Sequence, residues 1–165
     1  MKSYVKALGI MAVCLGGLAA CTVTTTQVPT GGTGPQSAIS APAMNAAFGQ
    51  LLNAERARAG LSPVAANGTL ERIAAGHAQD MEQRDFFSHT SSNGQTLGQR
   101  TRAGGYGYCS VAENIARGQR SVEEVHQSWM TSSGHRANNL SGTVTEYGLA
   151  RVDDTWVLVL ASGGC

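Results

Sequence analysis

The sequence predicts an α+β domain in which helices pack around a small, mostly antiparallel sheet. Three observations carry this. Several stretches before residue 131 place apolar residues at helical spacing. After residue 146 the pattern changes to short Val/Leu/Trp-rich runs split by a turn. The chain of 165 residues is long enough for one domain with one real core.

In chain order, residues 1–20 read as an export signal. Lys2 and Lys6 give a positive start, and Ala7 to Leu18 is an apolar stretch too short to span a bilayer as a stable helix. Leu18-Ala19-Ala20-Cys21 fits the lipobox of bacterial lipoproteins. In that pattern the Cys21 thiol takes a diacylglycerol, cleavage makes Cys21 the mature N-terminus, and buried acyl chains hold the protein on a membrane. The bland alternative is an ordinary secretory signal cut near Ala20. Residues 21–43 are rich in Thr, Gly, Ser and Pro and carry no charge, which suits a flexible tether.

The domain is expected over residues 44–165. Its first helix runs from about Met44 to Ala59, with Phe48, Leu51 and Leu52 on the apolar side and Gly60 as its stop. The second runs from about Leu70 to Asp85 and buries Leu70, Ile73, Ala74, His77 and Met81. The third opens at Ser121 with Glu124 as a capping box and buries Val122, Val125 and Trp129. The Gly-rich stretch from Gly104 to Gly118 reads as irregular, with one short strand near Val111. Tyr147–Val152 and Thr155–Leu160 read as strands joined by a turn at Asp153-Asp154. Alternation sends Trp156 and Leu158 to one face and Val157 and Val159 to the other.

Charge excludes one class of function. The chain is formally +1, and loss of Lys2 and Lys6, its only lysines, takes it to −1. No basic run remains, so nucleic-acid binding has no electrostatic support. Beyond Cys21 the domain keeps Cys109 and Cys165. In an oxidising envelope they would form a disulfide; two free thiols are the alternative.

The residues with chemistry are few. His89, Glu113 and His135 would offer two imidazoles and a carboxylate, a set able to bind a divalent cation such as zinc with a position left for water. His135 beside a helix end also suits a capping role. His77 lies on an apolar stripe and reads as a satisfied core or boundary residue, and His126 as partly exposed. Asn114 reads as a residue whose amide fixes a loop. No HExxH, GxSxG or CxxC is present. Ser88, Ser132 and Ser133 stand near the histidines, but nucleophilic catalysis needs a geometry that sequence does not supply.

Four stretches in order resemble the bacterial branch of the CAP superfamily: the cysteine-rich secretory proteins, antigen 5 and the pathogenesis-related proteins. They are Leu52-Asn53-Ala54-Glu55-Arg56-Ala57-Arg58-Ala59-Gly60-Leu61, Phe86-Phe87-Ser88-His89-Thr90, Glu113-Asn114-Ile115-Ala116 and Trp129-Met130-Thr131-Ser132-Ser133-Gly134-His135-Arg136. The resemblance covers essentially all of Met44 to Leu160. It implies a three-layer α-β-α sandwich and a surface cleft built on His89, His135 and Glu113. The family's second acid falls at Ser132 here, and Ala112 replaces the usual Gly, so the tetrad is incomplete. The implied function is a non-enzymatic, lipid-anchored envelope module that binds a lipid, cell-wall or protein ligand. A metal-assisted hydrolase of peptides or cell-wall material is the runner-up, and a structural protein with a vestigial cleft is third. The implied location is the extracytoplasmic side of a membrane.

Overall fold

A computed structural model describes residues 40–164. The export signal, Cys21, most of the tether and Cys165 lie outside the described residues. The elements run α1 (Ala41–Arg58), β1 (Ala65–Ala66), α2 (Gly68–Gln83), α3 (Leu97–Ala103), β2 (Tyr108–Arg117), α4 (Val122–Thr131), α5 (Ser133–Asn139), β3 (Glu146–Val152) and β4 (Thr155–Gly163).

Local chemistry accounts for most of the boundaries. Helix α1 starts three residues before the expected Met44, because Pro42 occupies its first turn, where a missing N–H costs nothing. Asn67 caps α2: its side chain accepts from the backbone N–H groups of Thr69 and Leu70. Thr96 and Gln99 form a reciprocal capping box on α3, a helix the apolar pattern did not reveal. Ser121 caps α4 through the Glu124 amide, while the Glu124 side chain accepts from the Arg120 N–H instead of closing the box.

The sheet order is β1-β3-β4-β2. β3 and β4 form an antiparallel hairpin, β2 pairs antiparallel with β4, and the two-residue β1 runs parallel to β3. The expected short strand near Val111 is a ten-residue strand. Its Ala and polar residues hid it, because an edge strand partly covered by loops need not alternate cleanly.

Two cores lie on the two faces. Phe48 and Leu52 of α1, Val125 and Trp129 of α4, and Trp156 and Leu158 of β4 fill one. Leu70, Ile73 and Met81 of α2 pack on Val157 and Val159 in the other. The expected alternation along β4 holds, with both sets buried. Close approach on the second face depends on Gly148, since a Cβ there would lie 2.2 Å from the Glu71 backbone nitrogen. Helices on both faces of the sheet give the α-β-α layering. Among the described residues no helix is long and apolar enough to cross a membrane.

Candidate functional site

Glu113 stands at the centre of β2, with its side chain on the α2 face beside Val111 and Ile115. It is an edge-strand residue, not part of an irregular loop. Its side chain is 1% exposed, so its charge needs partners, and it has two. Oε2 accepts from the Arg100 guanidinium at 2.6 Å, and Oε1 lies 2.9 Å from His89 Nδ1. His77 Nε2 approaches the same Oε1 at 3.9 Å.

Each partner is held in turn. Arg100 comes from α3 and also donates to the carbonyls of His89 and Gln95 and to Ser91 Oγ. It therefore clamps the 88–96 loop, which carries His89, onto the strand. His77 Nε2 lies 2.9 Å from the Ser88 carbonyl and Nδ1 lies 3.4 Å from Ser91 Oγ. His77 is thus a satisfied buried residue, as its place on the α2 stripe suggests, but it also supports the loop from below. Arg100 was not anticipated at all, for a lone Arg eleven residues past a His carries no local signal.

His135 belongs to the opposite layer. It is the third residue of α5, at the N-terminal end of that helix, where no free carbonyls await a cap, and is half-buried. The Asn114 amide donates to the His135 carbonyl at 3.1 Å and to Asn139 Oδ1 at 2.9 Å. Asn138 donates to the Glu113 carbonyl and to Asn114 Oδ1. Asn114 is fully buried, so this amide ladder fixes α5 across the β2 edge and satisfies a strand carbonyl that lacks a neighbouring strand. The β2 edge therefore carries His89 on its α2 side and the α5 turn that bears His135 on its other side.

Electrostatics separates the histidines. The Glu113 hydrogen bond, aided by its charge, raises His89 above the usual imidazole value against partial burial and Arg100. Burial lowers His135, and the charge on His89 lowers it further, so the two rings feel each other. Burial also lowers His77, although Glu113 pulls the other way. His126, expected to be partly exposed, is buried against the Phe48 ring edge, and that burial lowers it too. Ser132 joins α4 to α5, half-buried, and caps α5 without a side-chain bond.

The expected zinc set of His89, Glu113 and His135 does not fit this arrangement. Both carboxylate oxygens of Glu113 are engaged, one by a guanidinium that would repel a cation. Only imidazole nitrogens of His89 and His135 remain as donors. Among the described residues no three His, Cys, Asp or Glu side chains group as a metal site.

The family model for CAP, the cysteine-rich secretory protein family, matches residues 50–159. The chain belongs to this family. YkwD of Bacillus subtilis is 38% identical over 104 residues, covering 63% of this chain and 40% of YkwD. An extracellular protein containing an SCP domain from Bacillus anthracis has a similar structure, with a TM-score of 0.70, 29% identity, and 78% and 45% of the two chains covered. An outer surface protein of Borrelia burgdorferi superposes with a TM-score of 0.67 at 20% identity, over 73% of this chain and 92% of that one, a likeness of fold. The chain spans less than half the length of YkwD and of the Bacillus anthracis protein. The CAP fold expected from the four stretches is the fold observed.

Proposed function

We propose that this CAP domain is a non-enzymatic binding module outside the cytoplasmic membrane, and that its edge cleft takes a polar cell-wall ligand. The observation that carries the reading is the buried Arg100–Glu113–His89 chain. It presents one imidazole, 57% exposed and charged more readily than usual, on a rigid base. A fixed donor on a polar edge suits hydroxyl, amide and carboxylate groups better than an acyl chain, so a cell-wall fragment is favoured over a lipid or protein ligand. The extracellular and surface character of two structural relatives supports the location.

The hydrolase reading draws on the same pair. A carboxylate at Nδ1 orients an imidazole as a base would need. A metal-assisted hydrolase would use water as its nucleophile, positioned beside that imidazole. Cosedimentation with purified peptidoglycan tests both readings. Binding that His89→Ala weakens at least about tenfold, without released soluble fragments, is the expected result; a tenfold change corresponds to about 1.4 kcal/mol. Fragments released by the wild type but not by His89→Ala would replace the module with a hydrolase.

Two covalent features belong to the same proposal. Acylation at Cys21 anchors the domain, so Cys21→Ser moves the protein out of the membrane fraction or leaves it unprocessed; unchanged processing and fractionation would refute the anchor. Cys109 pairs with Cys165. Tyr108 lies opposite Gly163 in the β2–β4 register, and Gly163 precedes Cys165 by two residues in sequence, which supports the pairing. Intact mass after alkylation without reduction is expected to show no label at these thiols, and two labels would refute the bond.

A further inference from the structure

A concavity with a volume of about 460 Å³ lies on the α2 side of the sheet, beside the Glu113 network, whose His77, Ser91 and Arg100 also line it. That is within the usual range for a small-ligand pocket. One wall is the outer face of α2, where Arg72, Gly76, Asp80 and Arg84 recur every fourth residue. The other is the 91–95 loop and α3, with Arg100 between the two. Arg100 lines this concavity and also serves Glu113 through Nη2.

The two ends differ in chemistry. At the Arg84 end, Asp80 is already spent. It accepts from Arg84 Nε, from the Ser92 N–H and from Ser92 Oγ, which ties the loop to the helix. At the other end, Ile73, Ala103 and Gly104 form an apolar floor beneath Arg72. Arg72 makes one hydrogen bond, to Thr69 Oγ1, and among the described residues it pairs with no carboxylate. Arg100 Nε is buried without an acceptor. Gly76 between the ends has nothing within 4 Å of where a Cβ would lie, so the middle of the groove is open.

We infer that this groove is a second ligand site, and that it takes a short peptide by its terminal carboxylate. The carboxylate pairs with Arg72, where no acid competes, and the last side chain rests on Ile73 and Ala103. The peptide backbone then runs along Gly76 toward Asn93 and Gln95, whose amide groups match peptide N–H and C=O groups. The reverse orientation is disfavoured because Arg84 at the far end is already paired with Asp80. From Arg72 to Arg84 the helix covers about 18 Å, a span that suits a peptide of a few residues rather than a small ion. This site does not depend on the reading of the edge cleft.

The test is titration calorimetry of the domain with N-acetyl-trialanine as free acid and as C-terminal amide. The acid is expected to bind, and the amide at least about tenfold more weakly, because a charge-assisted bond is lost. Arg72→Gln should weaken the acid to the level of the amide. Gly76→Leu fills the groove in a helix that readily accepts Leu, and should abolish binding with the circular dichroism unchanged. His89→Ala should leave peptide affinity intact. Equal affinity for acid and amide, no saturable binding of the acid into the millimolar range, or binding that survives Gly76→Leu would each overturn the proposal. Loss of binding on His89→Ala would also overturn it, by placing the peptide in the edge cleft.

Discussion

The two faces of the sheet are built from opposite materials. Toward α1 and α4, β4 presents Trp156, Leu158 and Leu160, and the layer is filled with Trp129, Phe48 and Tyr147. Toward α2 it presents Val157, Val159 and Ala161, and the helix sits so close that Gly148 admits no side chain. Large side chains hold one layer at a distance and fill it with apolar area. Small ones draw the other layer in and leave its margin to polar groups.

The two buried arginines make the same contrast. Arg56, 1% exposed, donates to the carbonyls of Ser62, Asn139, Ser141 and Val144 and staples the end of α1 to the chain before β3. Its charge is solvated by backbone alone, and burial lowers its pKa. Arg100 is tied to an acid, an imidazole-bearing loop and an open groove. One face spends its buried cation on architecture, the other on a site.

This comparison can be broken by measurement. Trp156→Ala removes a side chain 1% exposed from the aromatic layer and should cost about 3–5 kcal/mol in chemical denaturation. A loss below about 1 kcal/mol would mean that this layer is not where stability resides. Glu113→Gln leaves Arg100 buried without its counter-charge and should cost about 3 kcal/mol. The same variant should also bring the His89 titration, followed by NMR of the ring protons, down toward the ordinary value. An unmoved His89 midpoint would dissolve the pair on which the proposed cleft rests.

The smallest effect is the pH response. His89 is raised in the fold, so its contribution is full below the unfolded value near about 6.5 and is lost as pH rises through the folded one. His77, beside Glu113, Arg100 and Asp80, is lowered, so its effect has the opposite sign. Stability from a neutral His77 is present above about 6.5 and declines as pH falls below it, because the unfolded chain takes up the proton first. NMR titration of the native domain should therefore place His89 above His77. The reverse order would show that burial, not Glu113, governs the loop histidine.

Apolar patterning with its stop, cap and turn signals located α1, α2, α4 and the β3–β4 hairpin, since each buries apolar residues that the sequence must spell out. The order of the four family-like stretches singled out His89, Glu113 and His135. Three things were not written in the apolar pattern. Helices α3 and α5 are seven residues each, too short for a stripe, and exist through a capping box on one and an Asn ladder beneath the other. Strand β2 exists because β4 offers it a partner. Arg100 acquires its role only when α3 folds back against β2, and with it Glu113 passes from an expected zinc ligand to the anchor of His89. Sequence determines which faces are apolar because burial is a property of each residue. The pairing of charges is a property of distances, and only the tertiary structure decides those.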